Sequence, residues 1–261
     1  MQAAPLWDAS TCQFAGLLTV TDFIDILRHY KQAGKDVAAL AVSSIQSVLA
    51  DQDFEVEFHG ADSSCTLQQA CQQLLKSKSD FLPVVFAEDM RVLACITYTN
   101  MLEHLVTHFR EQRRLFDDSL PDLGIGTYGT NLVSVFPDQS LAQALELMHN
   151  YSLSALPVLD KTSGKIIGVY SRSDITFLTK ATDAEDAVRN LDLPVSEMLS
   201  QQRTDVTTPD ALRTCSASHT LQAIFESFAQ LRFNRLYVVD EESRLLGVVS
   251  ARDLVAYFIQ E

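Results

Sequence analysis

The stretch Ser140–Leu178, SLAQALELMHNYSLSALPVLDKTSGKIIGVYSRSDITFL, decides the fold. Leu141, Ala144, Leu145 and Met148 recur at helical spacing, so the first part is an amphipathic helix with a core-facing stripe. Leu156, Pro157, Val158 and Leu159 form a short apolar strand, and Asp160 to Gly164 supply turn residues. Ile166, Ile167, Val169 and Tyr170 form a second strand. Ser171-Arg-Ser-Asp174 then opens a second helix, with Ser171 as its cap and Asp174 in its first turn.

The same helix–strand–strand–helix unit recurs along the chain. Downstream it reads Leu221 to Phe225, Arg235 to Asp240 and Leu246 to Asp253. Upstream it reads Leu67 to Cys71, Phe81 to Val85 and Cys95 to Asn100. At the N-terminus, Ala4 to Asp8 and Leu17 to Asp22 supply the second half of one more unit. The positions equivalent to Asp174 are Asp22, Asn100 and Asp253, at successive intervals of 78, 74 and 79 residues. Pro5, Pro83 and Pro157 keep the first two intervals, so two independent markers share one spacing. The first unit lacks about 20 residues by repeat arithmetic, and is expected to be incomplete in this sequence.

These residues carry a resemblance. Ala3–Asp8, Leu18–Leu27, Ile125–Tyr128, Leu153–Val158 and Tyr170-Ser171 resemble the γ regulatory subunits of AMP-activated protein kinase, a family of four tandem CBS motifs. The resemblance covers nearly the whole chain. It implies an α/β (α+β) fold in which tandem CBS motifs pair into two pseudo-symmetric CBS-pair (Bateman) domains. These are expected at residues 1–114 and 125–261, with motif two at about 54–108, motif three at about 131–180 and motif four at about 194–261.

Composition sets limits on function. The chain has 261 residues, enough for one large or two modest domains. The net charge of −14 opposes non-specific binding to nucleic acid or anionic lipid. No apolar run approaches the ~20 residues that span a bilayer, and MQAAPLWD has no basic region followed by an apolar core. The five Cys form no CxxC pair and read as unpaired, buried small hydrophobes in a reducing compartment. The six His show no HExxH, and neither a nucleophile elbow nor a Walker loop is present. A binding or regulatory role is therefore expected, with no catalytic residues and no metal.

The chemistry sits in a repeated Ser/Thr-x-x-Asp: Thr19 with Asp22, Ser171 with Asp174, and Ser250 with Asp253. A carboxylate can accept from both hydroxyls of a ribose, and helix N-terminal amides beside a hydroxyl suit a phosphate. The same pattern is also a plain helix capping box. The resemblance implies that these Asp bind the ribose of AMP, ADP or ATP. It also implies that Thr21, Thr127, Ser154 and Ala155 line nucleotide sites, and that Arg235 contacts a phosphate. Arg172 and Arg252, beside the acids, add positive charge.

Several of the family's basic positions are changed. Gln2, Asp80-Phe81, Thr99-Asn100 and Asn234 stand where the family has basic residues. Nucleotide binding is therefore expected in repeats three and four, and a fragment of residues 121–261 is expected to keep most of it. Arg213 serves as an indifferent comparison, and Trp7 and Phe14 read as core. The resemblance further implies a catalytic α and a scaffold β subunit as partners, in the cytoplasm and nucleus. The alternative is a CBS scaffold that has lost nucleotide sensing.

Overall fold

The structure, a computed structural model, describes residues 3–40, 42–50, 60–77, 79–108, 117–174, 178, 181–202, 212–231 and 233–260. Repeat one contributes strands β1 (Ala3–Asp8) and β2 (Gln13–Thr19) and helix α1 (Val20–Ala33), followed by short helices α2 (Val37–Leu40) and α3 (Ile45–Ala50). Gly34, at φ 61°, ends α1 and separates it from α2 and α3. Repeat two is β3 (Ala61–Asp62), α4 (Leu67–Lys76), β4 (Phe81–Phe86), β5 (Arg91–Thr97) and α5 (Tyr98–His108). The alternating sequence Phe54–Phe58 and the Arg-rich segment 109–114 lie outside the described residues.

Repeat three is β6 (Thr127–Tyr128), α6 (Leu141–Asn150), β7 (Ala155–Leu159) and β8 (Ile166–Ser171). Ahead of α6, the segment 132–136 contributes a single parallel bridge from Val135 to Val158. Helices α7 (Ala184–Asn190) and α8 (Val195–Gln202) lead to repeat four, which is β9 (Thr214–Ser216), α9 (Leu221–Leu231), β10 (Arg235–Val239), β11 (Leu245–Ser250) and α10 (Ala251–Gln260).

The local geometry repeats as closely as the sequence does. In repeats two and four a short opening strand lies parallel to the next strand, and that strand pairs antiparallel with the hairpin partner. The hairpin register slips at one equivalent place in three repeats, between Leu6 and Trp7, Val84 and Val85, and Val238 and Val239. Each of the four hairpin turns contains one residue at positive φ: Cys12, Met90, Gly164 and Ser243. Only repeat three meets that backbone requirement with glycine.

Two compact units result, each drawn from several stretches of the chain. Unit 1 gathers residues 1–58, 135–158 and 170–204; unit 2 gathers 59–134, 159–169 and 205–261. In unit 2, α4 and α5 of repeat two pack against α9 and α10 of repeat four. Leu74, Met101, Leu102, Phe225, Phe228, Leu254 and Val255 thereby enter one buried core. Amphipathic helices bury their stripes on whichever apolar face meets them, and here that face comes from the alternate repeat. Repeats three and four meet through strands instead. Thr127-Tyr128 pairs with β11, and at the tip of the repeat-three hairpin Lys165 bridges Arg244. A fragment of residues 121–261 would leave Phe225 and Leu254 without α4 and α5, so the intact chain is the object for ligand tests.

In unit 1, Leu141, Ala144, Leu145 and Met148 are 0–2% exposed, the stripe expected of α6. Phe14 is buried, but Trp7 is 54% exposed. Its strand β1 has β2 as its only sheet neighbour among the described residues, which leaves the large ring partly uncovered. Cys71 and Cys215 are buried, and burial pushes both thiols up to about 11. Cys12 and Cys95 are exposed, contrary to the expectation of five buried thiols.

The repeat-four hairpin yields two changes of opposite sign. A Cβ on Gly247 would overlap the Tyr128 ring and meet Thr127 O at 3.0 Å. Gly247→Ala should therefore destabilise the chain by about 1–3 kcal/mol in urea unfolding. Ser243→Gly, at φ 64°, should stabilise it by ~0.5 kcal/mol or more.

Candidate functional site

At the end of β2, the Thr19 backbone N–H and hydroxyl both donate to Asp22 Oδ2, at 2.5 and 2.8 Å, and the Asp22 N–H returns to Thr19 Oγ1. At the end of β11, the Ser250 N–H and hydroxyl donate to Asp253 Oδ2, both at 2.8 Å, and the Asp253 N–H returns to Ser250 Oγ at 3.3 Å. The capping box is therefore real in both repeats. It occupies only one carboxylate oxygen. Neither Asp22 Oδ1 nor Asp253 Oδ1 accepts a hydrogen bond among the described residues.

Repeat two shows what the box needs. Thr97 N–H and hydroxyl donate to Asn100 Oδ1 at 3.1 and 2.8 Å, and the Asn100 N–H returns to Thr97 Oγ1 at 3.3 Å. The same junction forms with a neutral amide, so the fold does not require the negative charge at 22 and 253. That charge is available for another purpose.

Around Asp253, unit 2 gathers more of the expected set. Arg235 opens β10 directly opposite Ser250, which closes β11. Ala251 N–H donates to Asn234 O at 2.9 Å, stapling the start of α10 to the residue before Arg235. Thr127 lies opposite Val248 on the adjoining edge strand. Thr127, Arg235, Ser250 and Asp253 thus converge at one end of one sheet. Two amides at the start of α10 are already committed, Ala251 to Asn234 and Asp253 to Ser250. An anion there finds fewer open helix N–H groups than the sequence pattern suggests.

Arg252 is engaged elsewhere. Its Nη2 donates to Leu75 O at 2.8 Å, at the C-terminal end of α4, where a cation complements the helix dipole. Tyr98 donates to Leu74 O at 2.9 Å beside it. Burial, with smaller contributions from Asp80 and Asp253, pushes the Tyr98 hydroxyl up to about 12. Arg213 lies 5.2 Å over the buried Phe233 ring, a packing role that removes it as an indifferent comparison.

Unit 1 holds the repeat-three set. Ser154 O accepts the Arg172 N–H at 2.9 Å and the Ser171 hydroxyl at 3.4 Å. Asp174 N–H donates to Ser171 O at 3.0 Å, and the Ser171 and Ser173 hydroxyls lie 3.1 Å apart. Ser154, Ala155, Ser171, Arg172 and Asp174 therefore converge where β7 begins and β8 ends. The Ser171 side chain is committed to Ser154 and Ser173, unlike the caps at 19 and 250. The helix expected after Asp174 falls mainly outside the described residues. Thr21 sits in the first turn of α1, half-buried, one residue before Asp22.

Sequence reading missed Asp25. On α1 it faces Arg28, His149 and Arg172 at 3.7, 3.5 and 3.9 Å. Its position one turn after Asp22 was the available signal. Among the described residues no group of three or more His, Cys, Asp or Glu could hold a metal ion. No helix there is long and apolar enough to cross a membrane.

The boxes predict a separation of stability from charge. Asp253→Asn should leave the urea midpoint almost unchanged, because Asn100 already closes the same box. Asp253→Ala should cost about 1 kcal/mol through loss of the cap.

Comparison with known proteins adds to this geometry. The CBS domain family matches residues 126–180 and 204–260. The AMP-activated protein kinase γ subunit of Dictyostelium discoideum is 29% identical over 268 residues, covering 100% of this chain and 46% of the relative. The γ-3 subunit of Bos taurus is 30% identical, covering 98% of this chain and 51% of the relative. The chain thus spans about half the length of the curated relatives it matches. Among solved structures, a Methanocaldococcus jannaschii protein described as an archaeal homologue of γ-AMPK superposes with a TM-score of 0.72. It is 15% identical, covering 98% of this chain and 88% of that one, so it supports the fold. A conserved Pyrococcus horikoshii protein superposes at 0.56, with 14% identity. With its recurring hairpin, box and helix, this chain carries two matched CBS domains, at residues 126–180 and 204–260, and is similar along its whole length to the γ subunits of AMP-activated protein kinase.

Proposed function

We propose that the chain is a non-catalytic regulatory subunit that binds AMP, ADP or ATP between its CBS repeats and adjusts the activity of a partner kinase. One observation carries this reading: Asp22 and Asp253 close their caps with a single oxygen, although Asn100 shows that a neutral amide suffices. Each leaves a carboxylate oxygen suited to a ribose hydroxyl. Arg235, opposite Ser250, supplies a cation for phosphate at the same end of the sheet, and Thr127 adds a hydroxyl. In unit 1, Asp22 with Thr19 and Thr21, and Asp174 with Ser154, Ala155, Ser171 and Arg172, offer equivalent chemistry. Similarity to γ subunits supports a kinase catalytic α subunit and a scaffold β subunit as partners, in the cytoplasm and nucleus.

A second reading has its own support. Arg252 is bonded to Leu75, and Arg172 faces Asp25. Asp80 and Asn234 stand where the family has basic residues. With its cations so engaged, the chain would act as a CBS scaffold without nucleotide sensing.

Calorimetric titration of the intact chain with AMP, ADP and ATP separates the two. Binding is expected, and silence at millimolar concentration of all three would leave the scaffold reading. Arg235→Ala should weaken binding by at least about 1.5 kcal/mol, roughly tenfold, through loss of a charge-assisted bond. Arg244→Ala is the comparison, since its pairs with Asp240 and Glu242 lie on the surface of the same repeat. Equal affinities of the two variants would remove Arg235 from the site. Affinity purification from the native cell should bring down a protein kinase, and its absence would count against the kinase partner.

A further inference from the structure

Unit 1 contains a charge cluster apart from the capping boxes. Asp25 lies one turn beyond Asp22 on α1 and Arg28 one turn further, so all three share a helix face. Basic groups from three elements surround the Asp25 carboxylate. Arg28 Nε, from its own helix, stands 3.7 Å from Oδ1, and His149 Nδ1, near the end of α6, stands 3.5 Å from the same oxygen. Arg172 Nη1, just past β8, stands 3.9 Å from Oδ2. The side chains of Asp25, Arg28 and Arg172 are 16%, 13% and 12% exposed, while that of His149 is 51% exposed.

All three separations exceed the roughly 2.7–2.9 Å of a charge-assisted hydrogen bond. Arg28 Nε is buried and has no hydrogen-bond partner among the described residues. A single carboxylate is therefore a loose fit: it neutralises the cradle without bonding closely to its donors. A phosphoryl group has three terminal oxygens and up to two charges, and can reach several such donors at once. Arg172 also ties the cradle to the nucleotide chemistry, since it lies between Ser171 and Asp174 and its N–H bonds Ser154 O.

We infer that Arg28, His149 and Arg172 form a phosphate seat in unit 1, and that Asp25 is its resident counter-ion, displaced when a phosphoryl group binds. The inference rests on the adenine-nucleotide reading and gives that nucleotide's phosphate a place. Asp25 then sets affinity from within, because each phosphate must compete with a carboxylate already held there.

Titrations of the intact chain with AMP, adenosine and inorganic pyrophosphate test this. Asp25→Asn keeps the side-chain shape and removes the competing charge. It should raise affinity for AMP at least about three- to fivefold, the upper range for an exposed charge pair, and leave adenosine unaffected. Asp192→Asn is the comparison, since it removes the same charge from unit 1 at the outer pair with Lys31. It should change nothing. Equal affinity of wild type and Asp25→Asn for both AMP and pyrophosphate would overturn the seat while leaving nucleotide binding intact. An equal gain in Asp192→Asn, or a gain with adenosine, would overturn it too. A gain with pyrophosphate alone supports the seat and detaches it from the nucleotide. Absence of any binding to either protein overturns both readings. Should Asp25→Asn not fold, carboxyl-carbon NMR of the unmodified chain decides. The Asp25 signal should move on adding AMP while that of Asp192 stays, and an unmoved Asp25 signal would sink the proposal.

Discussion

The junction between the second hairpin strand and the helix that follows it governs this molecule. The last strand residue, Thr19, Thr97 or Ser250, gives both its N–H and its hydroxyl to one oxygen of the residue three positions later. That residue returns its own N–H to the hydroxyl. These reciprocal bonds leave the chain little freedom to swing the helix away from its hairpin, and they satisfy two helix-start donors that would otherwise go unpaired. Once the angle is set, the apolar stripes of α5 and α10 can reach a common core in unit 2. The same constraint carries the candidate site residues, because whatever closes the box stands at the end of the sheet.

Much of this was legible in the sequence. Leu141, Ala144, Leu145 and Met148 announced both the helix and its buried face, since apolar residues three and four positions apart line one side of a 3.6-residue turn. The hairpins followed from short apolar runs broken by turn residues. The left-handed positions did not. Gly164 is a visible signal, but Cys12, Met90 and Ser243 adopt the same backbone region without the residue that marks it. There the fold overrides local preference, and no single-residue propensity reveals it. The bulges are equally silent, because a register slip depends on the pairing of two strands.

Packing partners were the least legible feature. An amphipathic helix declares that one face is buried, not what buries it. Repeats two and four share a helical core in unit 2, whereas repeats three and four meet through strand edges and a hairpin tip. Sequence adjacency anticipates the second kind of contact and misses the first. Trp7 failed for a related reason. Its aromatic size suggested core, but its strand has only one sheet neighbour among the described residues.

At the candidate site, carboxylates and cations differ in how far local sequence fixes their place. Acids that close a box are fixed by local spacing, three residues from a Ser or Thr, so Asp22 and Asp253 could be placed without tertiary information. An arginine reaches much further than that, and its direction depends on what lies across the fold. Arg252 turns to a helix C-terminus in repeat two, Arg213 to the Phe233 ring, and Arg172 toward Asp25. In a chain of net charge −14, acceptors abound, and long cationic side chains are drawn to internal partners before any ligand arrives. An anionic ligand at Arg172 or Arg252 would have to displace a carboxylate or a carbonyl from the guanidinium. Affinity in such a protein is set as much by these internal competitors as by the number of basic residues near the site.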